Sequence, residues 1–132
     1  MTSNELHWLA GLLEGEGCFT TSKHPKRGTS ARATTVAVCS TDADVVERAA
    51  ALMGTKTMQR LENGPRATRA LYRASVYGHA AAKLMLRVLP LMGARRQQRI
   101  KELLQSYLEQ RPGHFAALSE RSLEAASERV GA

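Results

Sequence analysis

Disulfide and metal chemistry find little to build on in this sequence. The chain has only two cysteines, Cys18 and Cys39, far apart and in no metal or redox spacing. Its four histidines, His7, His24, His79 and His114, are scattered too, so reduced thiols are expected and a structural zinc site is not. No apolar run approaches the roughly 20 residues that a membrane-spanning helix needs, so no membrane partner is expected. The opening Met1–Glu5 has neither a basic n-region nor an apolar h-region, and a cytoplasmic protein is expected. Acids are missing over long stretches. Residues 17–40 carry Lys23, Lys26, Arg27 and Arg32 and no acid. From Thr55 to Lys101, eleven basic residues face one acid, Glu62.

With 132 residues, 43% of them hydrophobic, the chain suits one compact domain with a real core. Lys and Arg total 19 against 12 acids, a formal charge of +7. The acids collect before Gly17, in residues 42–47 and from Glu102 onward. So polarised a field favours a polyanionic partner through counterion release.

Thr2-Ser3-Asn4-Glu5 reads as a capping box that opens a helix through Leu6, Trp8, Leu9, Leu12 and Leu13, with Gly17 as its stop. Cys18 to His24 alternates like a strand, Pro25–Gly28 makes a basic turn, and Arg32 to Ser40 returns as a second strand. Asp42 starts a second helix that Gly54 ends. Lys56–Leu61 and Arg69–Tyr77 form another strand pair around Asn63-Gly64-Pro65. Gly78 opens a third helix, broken at Pro90 and Gly93, and a basic helix runs from Ala94 to about Glu109. An αββ unit thus occurs twice, followed by helices. The expected class is α+β, with an antiparallel sheet covered by helices on one face and open on the other. Residues 1–110 are expected to form a single domain, and residues 111–132 a helical tail.

Leu9 to Gly17 reads Leu-Ala-Gly-Leu-Leu-Glu-Gly-Glu-Gly. This resembles the LAGLIDADG motif of homing endonucleases, with identity at Leu9, Ala10, Gly11, Leu12 and Gly17 and mild changes at Leu13, Glu14, Gly15 and Glu16. The residues support the likeness independently. Gly11 and Gly15 share a helix face at i, i+4, where another helix can approach closely, and Trp8 and Leu12 flank it. The motif occurs once, so that partner should be the same helix of a second copy. Trp8, Gly11, Leu12 and Gly15 are therefore the candidate dimer interface. Glu14 and Glu16 sit at the negative pole of the helix, which costs each carboxylate about 0.3–1 kcal/mol. A bound cation would explain acids placed there.

The resemblance extends over roughly residues 4–107 and implies the αββαββα fold of that family. It implies a homodimeric, site-specific endonuclease that makes double-strand breaks in duplex DNA, dependent on Mg2+ or another divalent cation. Glu16 and Gly15 would lie at the metal. A basic residue after the Pro90 break would lie beside the scissile phosphate, with Arg95 the first candidate and Arg96 the second. The family commonly has Lys there, and Arg cannot serve as a general base. The family's polar residue at the end of the second strand, often Gln, is Ser40 or Thr41 here. Such proteins are often mobile elements of microbes and phages. The alternatives are a catalytically inactive DNA-binding regulator, a maturase-like RNA-splicing cofactor, and an interaction module whose glycine-faced helix merely dimerises. No small-molecule substrate is expected.

On the open face, Thr20, Ser22, His24 and Lys26 should follow Cys18 if Phe19 and Thr21 point into the core. Arg69, Arg73 and Ser75 should be outward opposite Tyr72, Ala74 and Val76, joined by Gln59 and Thr57 if Met58 packs inside. These side chains suit base edges and phosphates in a major groove. Lys26, Arg27 and Arg66, at the turns, should position phosphates. The second strand offers only Ala33, Thr35, Ala37 and Cys39, which implies tolerant sequence readout. Tyr72 and Tyr77 are expected to pack rather than stack on bases.

Overall fold

The structure, a computed structural model, describes residues 1–23, 32–55, 58–61 and 70–110. Helix α1 (Ser3–Glu16) opens on the expected capping box. The Glu5 N–H donates to Thr2 Oγ1 at 3.1 Å, and the Thr2 N–H donates to Glu5 Oε1 at 2.7 Å. Leu9, Ala10 and Leu13 turn the other side of this helix into the core. Gly17 ends α1 in a different way from the expected stop. Its φ of −76° and ψ of 153° are extended, so the chain passes directly into β1 (Gly17–Lys23). Glycine is needed there for room: a Cβ would lie 2.5 Å from the Leu13 carbonyl oxygen and 2.8 Å from Leu13 Cα.

Strand β2 (Arg32–Ser40) returns antiparallel to β1. Helix α2 (Ala43–Met53) follows and ends at Gly54, whose φ of 79° is left-handed and favours glycine. Strands β3 (Met58–Leu61) and β4 (Leu71–Tyr77) lead to α3 (Gly78–Val88). A 3-10 turn over Leu89–Leu91, enforced by Pro90, separates α3 from α4 (Ala94–Gln110).

The four strands form one antiparallel sheet in the order β1-β2-β4-β3. Its register places Phe19 beside Val36, Val36 beside Val76, and Val38 beside Ala74. These side chains and Leu9, Leu13, Val46, Ala49, Ala81, Met85, Ile100 and Leu104 from the four helices make one core. The period of two sends the alternate residues to the other face, which no described helix covers. The α+β class, the αββαββα order and the one-sided sheet are those expected. Among the described residues, no helix is long and apolar enough to cross a membrane. The expected turns at Pro25–Gly28 and Asn63–Pro65, the strand ends at His24, Lys56 and Arg69, and the tail of residues 111–132 lie outside the described residues.

Candidate nucleic-acid interface and active centre

Two places gather chemistry: the open sheet face and the junction of α1 with α4. On the open face β1 contributes Cys18, Thr20 and Ser22, β4 contributes Arg73, Ser75 and Tyr77, and β3 contributes Gln59. Gln59 sits directly opposite Arg73 in the β3–β4 register. The Arg73 side chain is held along its own strand, Nε donating to Ser75 Oγ at 2.9 Å. Between these strands β2 is recessed. Thr35 is 0% and Ala37 2% exposed, although both lie on this face. Thr35 Oγ1 is 2.7 Å from Ser22 Oγ and also donates to the Ala33 carbonyl at 2.9 Å. The phase of the four strands is the one expected from the sequence. Tyr72 packs against the core as expected, whereas Tyr77 lies on the open face, paired with Thr35. Thr21 is on the helix side and accepts from Arg32 Nε at 3.1 Å. Cys18 and Cys39 are free thiols. His24, Lys26, Arg27, Thr57, Arg66 and Arg69 fall outside the described residues.

At the junction, two helix ends meet with charges set against their dipoles. α1 closes with Glu14 and Glu16 at its negative pole, and α4 opens with Arg95, Arg96 and Arg99 near its positive pole. Half of this conflict resolves itself. The Gly93 N–H, just before α4, donates to Glu14 Oε2 at 3.2 Å, and Arg96 Nε lies 3.8 Å from the same oxygen. A Cβ at Gly93 would sit 2.8 Å from Glu14 Oε1, so a side chain there would make that carboxylate shift. Arg96 Nη1 donates to the Gly17 carbonyl at 2.8 Å, and its guanidinium lies 5.7 Å from the centroid of the Phe19 ring. Arg99 Nε donates to the Phe19 carbonyl at 3.3 Å, and Arg32 Nη2 to the Thr21 carbonyl at 2.8 Å. Three arginines thus satisfy alternate carbonyls of the edge strand β1, groups that an edge otherwise leaves open to another chain.

The other half of the conflict stays unresolved. Glu16 and Arg95 are exposed and make no hydrogen bond or ion pair among the described residues. Glu16 immediately precedes β1 and its open-face residues. A hard divalent cation fits Glu16 as one carboxylate ligand, with the Gly15 carbonyl next to it in the chain. The set is incomplete. Among the described residues no group of three His, Cys, Asp or Glu side chains could hold a metal. Further oxygen donors would have to come from beyond the described residues.

The structure also shows what α1 leaves free. Gly11 and Gly15 are exposed, and a Cβ on either would meet nothing within 4 Å. Leu12 is half-buried, and Trp8 is partly covered by Arg48 of α2, whose guanidinium carbon lies 4.1 Å from the ring centroid. The tethering roles of Arg32, Arg96 and Arg99 went unread in the sequence. The signal for two of them was positive charge crowded into the first turns of a helix, where it is unfavourable unless something nearby holds it.

No protein-family model matches the sequence, and no curated protein matches it. Solved structures do. The homing endonuclease I-CvuI, in complex with its target in the presence of Ca, aligns with a TM-score of 0.65 at 16% identity, over 97% of this chain and 78% of that one. The homing endonuclease I-TnaI aligns at 0.61 and 14% identity, over 95% of this chain and 84% of that one. The I-SmaMI LAGLIDADG homing endonuclease, bound to cleaved DNA, aligns at 0.58 and 14% identity, over 96% of this chain and 42% of that one. At such identities the likeness is one of fold, and the fold is that of the LAGLIDADG homing endonucleases.

Proposed function

We propose that this chain, built on the LAGLIDADG homing-endonuclease fold, is a site-specific, divalent-metal-dependent DNA endonuclease that acts as a homodimer. One observation carries the reading: of two carboxylates at the end of α1, the fold engages Glu14 and leaves Glu16 exposed at the helix's negative pole. A charge that the fold does not use, in an electrostatically unfavourable place beside an open sheet face, is one that a ligand would use. Solved structures of the same fold hold DNA, cleaved in one case, which supports the same ligand here.

Duplex DNA would lie on the open face. Thr20, Ser22, Gln59, Arg73 and Ser75 would reach base edges. Lys26, Arg27, Arg66 and Arg69, with His24, would add to that surface, Lys26, Arg27 and Arg66 contacting phosphates. Arg73 enters this role with its Nε already held by Ser75. Glu16, with the Gly15 carbonyl, would hold Mg2+ or a similar cation. When bound, that ion supplies charge for the scissile phosphate's oxygens and lowers the pKa of an attacking water. Arg95 would hold a phosphate oxygen without exchanging its proton. Gly11 and Gly15, flanked by Trp8 and Leu12, would admit α1 of a second copy and bring its Glu16 to the other strand. All these parts lie within residues 1–110. Arg at position 95 also suits a second reading, a non-cleaving DNA-binding regulator.

Cleavage of a randomised duplex library in Mg2+, against Ca2+ and Glu16→Gln controls, tests the proposal. The expected result is paired breaks at one roughly two-fold motif, lost in Glu16→Gln while affinity persists. Enriched binding without breaks would establish the regulator instead. Equal cutting by Glu16→Gln would refute the metal assignment.

A further inference from the structure

Glu16 and Arg95, two charges without a partner among the described residues, stand on different helices, and two contacts hold those helices relative to each other. The Glu14–Gly93 contact and the Arg96–Gly17 contact straddle them. Residues 14 and 17 enclose Glu16 on one segment, and residues 93 and 96 enclose Arg95 on the other. Glu16 is placed by the rigid end of α1. The start of α4 follows a 3-10 turn and the break at Gly93, where the Gln97 side chain donates to the Met92 carbonyl at 2.9 Å. Glu14 meets that start directly, and the absence of a side chain at Gly93 lets it do so. Arg96 is only 16% exposed at its side chain and is turned back onto Gly17 and Phe19, while Arg95 next to it is exposed.

We infer that Glu14, Gly93 and Arg96 form a clamp that fixes Arg95 relative to Glu16, so that Glu14 and Arg96 are positioning residues for the phosphate site. The inference rests on the endonuclease reading for what the clamp serves, but not for the clamp's existence. Arg96 therefore acts through the clamp and not on the phosphate. A group displaced by about 1 Å from its reacting geometry can cost about 100-fold in rate, so loosening the clamp should be felt in catalysis more than in stability.

The test is a double-mutant cycle in the full chain, comparing wild type, Glu14→Ala, Arg95→Ala and the pair. Thermal midpoint, duplex affinity without metal and single-turnover cleavage in Mg2+ are measured for each. In both functional readouts Glu14→Ala should reproduce Arg95→Ala, about 10- to 100-fold in cleavage and a few-fold in affinity, and the pair should be no worse than either. Arg73→Ala, on the sheet, should add in full to Glu14→Ala. Full additivity between Glu14→Ala and Arg95→Ala, or wild-type behaviour of Glu14→Ala, would overturn the clamp. If Glu14→Ala does not fold, Gly93→Ala takes its place in the cycle, since its Cβ presses on the Glu14 carboxylate and leaves every charge intact. If the wild type cuts nothing, the endonuclease reading falls alone. The clamp is then decided on affinity, and an Arg95→Ala penalty that is absent, or that persists in the Glu14→Ala background, overturns it.

Discussion

The two αββ halves, α1-β1-β2 and α2-β3-β4, repeat one scaffold with one chemistry between them. In the first half the helix runs into its strand without a linker, because Gly17 is extended and lies against Leu13. In the second, Gly54 turns left-handed and a connection intervenes before β3. The first helix carries its exposed acids at the end, as Glu14 and Glu16. The second carries Asp44 and Glu47 in its first half, after Asp42 at its N-cap. The first has a small-residue face open at Gly11 and Gly15, whereas α2 offers Arg48 to cover Trp8. The difference teaches that scaffold and site are separable. Either half builds the sheet, but only the tight helix-to-strand junction presents a carboxylate beside the open face. On the proposed reading, a chain with one such junction would bring one set of catalytic parts, and cutting both strands of a duplex would take two chains.

Substitutions in matched positions can break or sharpen this contrast. The largest effect is expected from Gly15→Leu, or equally Gly11→Leu, which should leave the fold intact because both positions are exposed and a Cβ at either meets nothing within 4 Å. Sedimentation should show the dimer lost at micromolar protein, and double-strand cleavage lost with it; an unchanged dimer would remove the glycine face from the account. Next comes Gly17→Ala, whose Cβ collides with unyielding backbone of Leu13. It should cost about 3 kcal/mol in denaturant unfolding. Gly54→Ala, at the equivalent end of α2, faces no collision but a left-handed φ, and should cost about 1–2 kcal/mol. Equal losses at the two glycines would mean that the junctions are not different in kind.

The smallest contrast is at the helix starts. Thr2 makes a reciprocal capping box, while the N-cap Asp42 makes no side-chain cap hydrogen bond. Thr2→Ala should lower stability by about 1 kcal/mol, and Asp42→Ala by about 0.3 kcal/mol through the helix dipole alone. The backbone N–H of Thr2, ahead of its hydroxyl, holds the Glu5 carboxyl below its ordinary value. Because that pKa is lowered on folding, the contribution is complete above the ordinary carboxylate range and disappears as pH falls through it. Thermal melts of Glu5→Gln and wild type should therefore differ at neutral pH and converge in acid.

Much of this was legible in the sequence, for identifiable reasons. The alternation of Val36 and Val38 with Thr35, Ala37 and Cys39 set the phase of the central strand, and antiparallel pairing carried that phase to Phe19, Ala74 and Val76. The capping box was readable because its partners are three residues apart. Gly17 was visible as a boundary, but a glycine does not say whether it is needed for a left-handed turn or for room, and here it is room. The clamp was harder still. The acids and the arginines each stood out as misplaced on their own helices, yet Arg96 meets the Gly17 carbonyl across 79 residues of chain, and Arg99 meets that of Phe19 across 80. A backbone carbonyl leaves no mark in a sequence.

One measurement bears most directly on the claim that each chain brings a single Glu16-centred half of a symmetric site. Wild-type and Glu16→Gln chains with different tags are co-expressed, the mixed dimer is isolated through both tags, and its products on a target-bearing supercoiled plasmid are resolved. The account predicts nicked circles that do not proceed to linear DNA, beside linear product from the wild-type dimer. Linear product from the mixed dimer at the wild-type rate would contradict it.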